Sequence, residues 1–365
     1  MQTRIRAITF SRKYGRSRIF SHFLSGRRFG RAVSFMLCAA LCMGVLSAPI
    51  SADAKENVVV VLDPGHGGES EGAAYHGIYE KDINLSVALM TGYYLSQFEG
   101  ITVYLTRTAD VEVPLEDRPK FAQDVGADFF YSIHFNASDS HTLYGSEVWV
   151  SAFGEYYTAG YQFAKILLSN MSSQIGVYSR GCKTRLNSKG TDYYGVIRLC
   201  TSYGIPSCII EHCHIDNDYD YDRYLSQEVL QQMAYQDALS IAMYFGLSSK
   251  TLGLDFSGYE RVPCETPVCH MPDTTPPDYA IVAPVSADTS AKTATVVINA
   301  LDSNSSIKYF SYSLDRGRTW SALIEYGGGP AIVTLPLKNL SDTITIAAYN
   351  QYDKWTISNT IDPIP

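Results

Sequence analysis

Beyond residue 50 the 365-residue chain has no apolar run long enough to cross a bilayer, which excludes a membrane-spanning helix there. Basic charge is also scarce: residues 55–365 hold 20 Lys and Arg against 36 Asp and Glu, a net charge of −16. A body that acidic lacks the cation excess that phosphate contacts require, so nucleic acid and anionic lipid are poor partners. No Gly-Lys-Ser/Thr follows the stretch Pro64-Gly65-His66-Gly67-Gly68, which argues against a P-loop. No second pair of ligands follows Cys264 and Cys269, which argues against a zinc knuckle. A core is not lacking. Hydrophobic residues make up 46% of the chain, which excludes wholesale disorder, and the length allows two domains.

What basic charge there is gathers at the start. Residues 1–54 carry nine basic residues (Arg4, Arg6, Arg12, Lys13, Arg16, Arg18, Arg27, Arg28, Arg31) and one acid, Asp53. The apolar run 32–50 follows, and then Ser51-Ala52-Asp53-Ala54, with the small residues of an A-x-A cleavage site. This order reads as a secretory signal peptide over residues 1–54, with a mature start near Lys55. The alternative is an uncleaved anchor. The expectation is a secreted, wall-associated protein with no stable membrane insertion after processing. Its six remaining cysteines (Cys182, Cys200, Cys208, Cys213, Cys264, Cys269) are then free to form disulfides. Sequence does not choose the pairing, although Cys264 and Cys269 lie close enough for a local bridge.

Residues 55–249 alternate strand and helix. Val58–Leu62 is an apolar, mostly β-branched run, as in a strand buried on both faces. Helical spacing follows over 80–97, 156–175 and from about Tyr224 to Phe245, with Gly246 as a stop. Strands are expected at 101–106, 128–134, 147–150 and 207–211, and a short helix at 118–125. The fold class is therefore α/β, a largely parallel sheet flanked by helices. Residues 250–279 hold five prolines without periodicity and read as a linker. From 280 to 365 short β-rich runs recur without a helix, the arithmetic of a small Ig-like or fibronectin-like β-sandwich.

Four segments carry chemistry. Asp63-Pro64-Gly65-His66-Gly67-Gly68 follows the first strand, and Glu80-Lys81-Asp82-Ile83-Asn84-Leu85 opens the next helix. Ser132-Ile133-His134-Phe135-Asn136-Ala137 and Ile209-Ile210-Glu211 end later strands. Ligands of open α/β sheets bind at the carboxyl ends of strands, so these residues can meet. Singly each has a plain structural use: a histidine for hydrogen bonding, Glu80 for the helix dipole. Jointly, two imidazoles and a carboxylate form a zinc site with an open position, and a spare Glu211 suits proton transfer.

The ordered set DPGHGG, EKDINL, LTR with Leu115-x-x-Arg118, ADFFYSIHFNAS and IPSCIIE with Asn217 beyond resembles the zinc-dependent N-acetylmuramoyl-L-alanine amidases of the type-3 amidase family, over roughly residues 57–248. The resemblance implies one Zn2+ held by His66, Glu80 and His134, with Glu211 as the catalytic glutamate. It implies peptidoglycan as substrate, cut at the amide between the lactyl group of N-acetylmuramic acid and L-alanine. The chain departs from the family after Glu211. His212-Cys213-His214 stands where small and apolar residues are usual, and packing, a second metal site or a disulfide are all open readings. If the strand continues, His212 and His214 share one face. His76, just before Glu80, is read as a decoy. No long insertion separates His134 from Glu211, so an open site is expected.

Two other readings stand beside the amidase: a zinc peptidase acting on stem peptides, and a non-catalytic wall-binding protein with the same fold. The β-domain has three candidate jobs: binding wall polymer, binding a protein partner, or acting as a spacer. Repulsion between this acidic body and anionic wall polymers leaves capture to the groove or the β-domain.

Overall fold

The computed structural model describes residues 5–6 and 57–363. The expected signal segment lies outside these residues, apart from Ile5–Arg6, a two-residue strand at one edge of the main sheet. Among the described residues no helix is long and apolar enough to cross a membrane.

The remaining strands of that sheet are β1 (Val58–Pro64), β2 (Ile101–Leu105), β3 (Phe129–Asn136), β4 (Ser146–Val150), β5 (Ser179–Lys183) and β6 (Ser207–His214). The helices are α1 (Glu80–Leu95), α2 (Asp117–Asp124), α3 (Gly154–Asn170), α4 (Gly195–Ser202), α5 (Asp218–Tyr224) and α6 (Gln227–Phe245). β2, β1, β3 and β6 lie side by side in parallel. β4 then pairs antiparallel to β6, and β5 forms the edge parallel to β4. The sheet is therefore mixed, with one antiparallel junction beside the strand that ends in Glu211.

Both faces are covered, which is why β1 tolerates no alternation: Val60, Val61 and Leu62 are all buried. One face packs against α1, α3 and α6, and the other against α2 and α4. In α6 the apolar stripe Leu230, Met233, Ala234, Ala238, Ile241 faces inward. Ser226 caps its start, accepting from the Val229 amide, and Gly246 ends it in the left-handed region at φ 64°. The helix expected from Tyr224 is thus two, α5 and α6. α4 and β5 carried no expectation. β5 reads Ser-Arg-Gly-Cys-Lys, and its two most buried residues, Arg180 and Lys183, are charged rather than apolar.

The C-terminal strands are β7 (Tyr279–Asp288), β8 (Thr293–Leu301), β9 (Ile307–Ser313), β10 (Ile324–Glu325), β11 (Ala331–Pro336), β12 (Ile344–Asn350) and β13 (Trp355–Ile361). They form two antiparallel sheets, β7-β8-β11 and β10-β9-β12-β13. Val282, Val296, Ile298 and Leu335 from the first share a core with Phe310, Ile344, Ile346 and Ala348 from the second. The alternation in β8, where Ala294, Val296, Ile298 and Ala300 are buried, is the period-2 signature that marked it in sequence.

The stretch read as a linker is irregular but docked. The His270 amide donates to the Ala152 carbonyl (2.6 Å), the Gly154 amide to that of Pro267 (3.0 Å), and the His270 ring stacks on Tyr157 at 4.3 Å. Further on, the Asn350 side-chain amide bridges Asp273 (2.9 Å) and Asp302 (2.8 Å), tying this strap to the sandwich. The sandwich itself sits on β5. Gln351 donates to the Cys182 carbonyl (2.5 Å), Lys308 to that of Ser179 (3.1 Å), and the Tyr352 hydroxyl accepts from the Thr184 amide (3.1 Å). All six cysteines are unpaired here, so the local Cys264–Cys269 bridge is not formed.

Candidate metal centre and active site

His66, Glu80 and His134 converge. One donor atom from each lies within 4.8 Å of the others, and they are the only such metal-binding group among the described residues. His66 Nε2 stands 3.2 Å from Glu80 Oε2, and His134 Nδ1 stands 2.9 Å from Glu80 Oε1. Each side chain is set by its local backbone. His66 sits in the turn after β1 with φ 60°, a left-handed conformation that a non-glycine residue adopts only when its surroundings hold it there. Glu80 is the first residue of α1, and His134 is on β3.

Two glycines make the convergence possible. A Cβ on Gly65 would lie 2.1 Å from the His134 ring. One on Gly72, at φ +71°, would lie 2.4 Å from Glu80 Oε2 and 2.8 Å from His66 Cδ2. The carboxylate is also fixed from behind, accepting from the Ala73 amide (2.9 Å) and the Phe135 amide (3.3 Å). Burial opposes its charge, but hydrogen bonds from His134 and His66 outweigh that and hold Glu80 well below the usual carboxylate range. Two imidazole nitrogens and an ionised oxygen in a cradle that a single methyl group would fill are the donor set and shape that suit zinc.

The LTR and L-x-x-R motifs find their physical reason here. Arg107 donates to the carbonyls of Pro64 (2.9 Å), Gly65 (2.8 Å) and Lys81 (2.7 Å). Arg118 donates to the carbonyl of His66 (2.9 Å) and to the buried carboxylate of Asp63 (2.8 Å). Asp63 also accepts from Thr106 and Ser132; these bonds and Arg118 overcome burial and lower its pKa. The loop bearing His66 is thus clamped through its backbone rather than through its imidazole.

Glu211 lies beside His134 in the β3–β6 ladder and lines a cavity of about 340 Å³ with His66, Glu80, His134, Asn136 and Tyr194. A second cavity of about 350 Å³ adjoins it across His66, His134 and Tyr194. A larger cavity, about 780 Å³, lies elsewhere, between α3, the strap and the sandwich, and holds none of these residues. His66 and His134 keep 29% and 20% of their side-chain surface exposed, so the trio opens to solvent as the short spacing suggested. Burial, then the charges of Glu80 and Glu147, push the Glu211 pKa well up.

The residues after Glu211 do not build a second metal site among the described residues. The strand does continue to His214, but the register runs His134↔Glu211 and then Asn136↔His214, so His212 and Cys213 together oppose Phe135. This bulge breaks the alternation, and the two imidazoles go to different partners. His212, fully buried, meets Asp237 (3.1 Å) and the His134 carbonyl (3.2 Å). His214 meets the Gly145 carbonyl (3.2 Å); burial, then Arg180, pushes its pKa down to about 3. Cys213 is buried and unpaired. His76 sits at a hairpin turn against Tyr75 and Tyr221, outside the trio.

Sequence reasoning missed Glu147. It stands opposite Glu211 in the β4–β6 ladder and takes hydrogen bonds from Asn136 (3.0 Å) and Trp149 (3.1 Å) on one oxygen. On the other it takes them from Arg180 (2.7 Å) and Lys183 (2.5 Å). The available signal was an acid within an apolar strand, Ser-Glu-Val-Trp-Val, with two basic residues in a later segment.

The family profile described as N-acetylmuramoyl-L-alanine amidase matches residues 60–243. The chain is 29% identical over 203 residues to the N-acetylmuramoyl-L-alanine amidase CwlM of Bacillus licheniformis, covering 54% of this chain and 72% of that protein. It is 30% identical over 191 residues to the sporulation-specific N-acetylmuramoyl-L-alanine amidase of Bacillus subtilis (strain 168), covering 52% of this chain and 69% of that one. Among solved structures, an N-acetylmuramoyl-L-alanine amidase from Clostridium difficile 630 is 27% identical with a TM-score of 0.45, covering 52% of this chain and 97% of that chain.

Proposed function

The chain belongs to the N-acetylmuramoyl-L-alanine amidase family, and from that premise we propose that it is a secreted, zinc-dependent hydrolase of the bond between the N-acetylmuramic acid lactyl group and L-alanine in peptidoglycan. His66, Glu80 and His134 would hold one zinc ion through two imidazole nitrogens and a carboxylate oxygen. When bound, the ion lowers the pKa of its water and polarises a carbonyl. Every other step belongs to side chains of this protein. Glu211 takes the proton of the attacking water and returns it to the departing L-alanine nitrogen, so no acyl-enzyme forms. The two cavities that meet at His66 and His134 give room for the groups on either side of the scissile bond.

The observation that carries this reading is the placement of a partly exposed His-Glu-His trio one strand away from a protonatable carboxylate. The test is digestion of purified peptidoglycan with mass spectrometry of the products, with and without a chelator. Free stem peptides beginning with L-alanine are expected, and none after chelation. Shortened stems still attached to muramic acid would replace this reading with a stem peptidase. Undigested wall would leave a binding protein. The sandwich, read as an Ig-like module, belongs to the same proposal.

A further inference from the structure

Two buried cations, Arg180 and Lys183, stand behind Glu211, each about 1% exposed. Buried charges persist only when paired, and the α/β part supplies one anion for the two, Glu147. The second comes from the sandwich. Asp353, in the turn between β12 and β13, takes both Arg180 Nη2 hydrogen bonds, at 2.9 and 2.7 Å, and lies 3.8 Å from Lys183. It holds a left-handed φ of 61° there, a conformation a non-glycine residue keeps only under constraint. Tyr309 on β9 closes the group: its hydroxyl accepts from Arg180 (3.3 Å) and donates to the Tyr144 carbonyl.

This group reaches the reacting centre through Glu147. Its other oxygen fixes Asn136, which lines the cavity with Glu211, and Trp149, whose ring packs on Tyr194 at 5.2 Å. Tyr194 lines both cavities. Residues directly opposite in an antiparallel pair have Cβ atoms only ~5 Å apart, so the place of Glu147 bears on that of Glu211.

We propose that Asp353 and Tyr309 of the sandwich are positioning residues for amide hydrolysis, holding Arg180 so that Glu147 fixes the strand pair carrying Glu211. The sandwich then completes the catalytic domain rather than serving as a spacer. The inference rests on the amidase reading above.

The test uses the full chain and measures kcat and KM for release of stem peptide from purified peptidoglycan, with zinc content and melting temperature. Asp353→Asn is expected to lower kcat about tenfold, leave KM within about twofold and keep zinc. In a Glu147→Gln background Asp353 is the last anion beside the two buried cations and is kept; there Tyr309→Phe is expected to cost kcat nothing further, because the path is already cut. Tyr309→Phe keeps the ring, so it serves if Asp353→Asn fails to fold. Its expected effect in the wild-type background is a kcat loss of about threefold. An unchanged kcat, a loss confined to KM, or equal Tyr309→Phe losses in both backgrounds overturns the proposal. A wild-type chain that releases no stem peptide overturns the amidase reading instead, so the two failures are distinguishable.

Discussion

Glu80 and Glu147 are both buried carboxylates a strand or two from Glu211, and the protein treats them oppositely. Glu147 meets two cations of its own chain, Arg180 and Lys183, and despite burial they hold it ionised. Glu80 meets two imidazoles, whose nitrogens carry lone pairs as readily as protons. One centre is closed by covalently attached cations, and under the proposed function the other is left for a cation from outside. The first is made to stay put and the second to be filled, which is what separates a scaffold charge from a ligand.

The sharpest way to break this contrast is to delete each carboxylate in turn. Glu80→Ala is expected to abolish zinc binding and lower activity by at least about a thousandfold, because His66, Glu80 and His134 are the only such donor group among the described residues. A zinc stoichiometry near one in that variant refutes the ligand role. Glu211→Gln separates chemistry from binding: zinc is retained while kcat falls by about 10²–10⁴. Near-wild-type turnover removes Glu211 from the proposed role.

Glu147→Ala is expected to act on folding instead. It leaves two buried cations facing Asp353 alone, at a cost of about 3–5 kcal/mol read from denaturant unfolding. Zinc should raise the melting temperature of this variant as it does that of the wild type, and should leave Glu80→Ala unmoved. Zinc-insensitive melting of the Glu147→Ala chain would erase the distinction between the two centres.

The contrast also explains what could be read in advance. The convergence of His66, Glu80 and His134 was legible because these residues sit in short motifs at strand and helix ends, where Gly65, Gly67 and Gly68 announce a constrained turn. β1 was legible because its run is unbroken and apolar. β5 was not, because its most buried residues, Arg180 and Lys183, are charged and no hydrophobic pattern marks the strand. α4 runs only eight residues, Gly195–Ser202, too short for a clear period. The bulge at His212 and Cys213 depends on pairing with β3, which no local pattern encodes. Docking of the sandwich through Asp353 is likewise tertiary: one exposed-looking acid in a turn finds a cation 173 residues away.

Two glycines refine the comparison at smaller scale. Gly72→Ala puts a methyl group onto Glu80 and His66 at a positive φ, and neither neighbour can retreat without spoiling the trio. Zinc affinity is expected to fall about 10–100-fold, measured by competition with a chromogenic chelator.

Gly181→Ala is the gentlest probe. Gly181 lies on β5 at φ +97°, and its Cβ would come 2.8 Å from the side-chain amide of Gln351. That neighbour is the far end of a flexible side chain and can swing away, giving up its hydrogen bond to Cys182. The expected cost is the backbone strain plus that bond, about 2 kcal/mol in all, with zinc affinity unchanged. If Gly181→Ala weakened zinc binding as much as Gly72→Ala does, the two carboxylate centres would be one coupled unit, and treating the scaffold and the ligand site separately would fail.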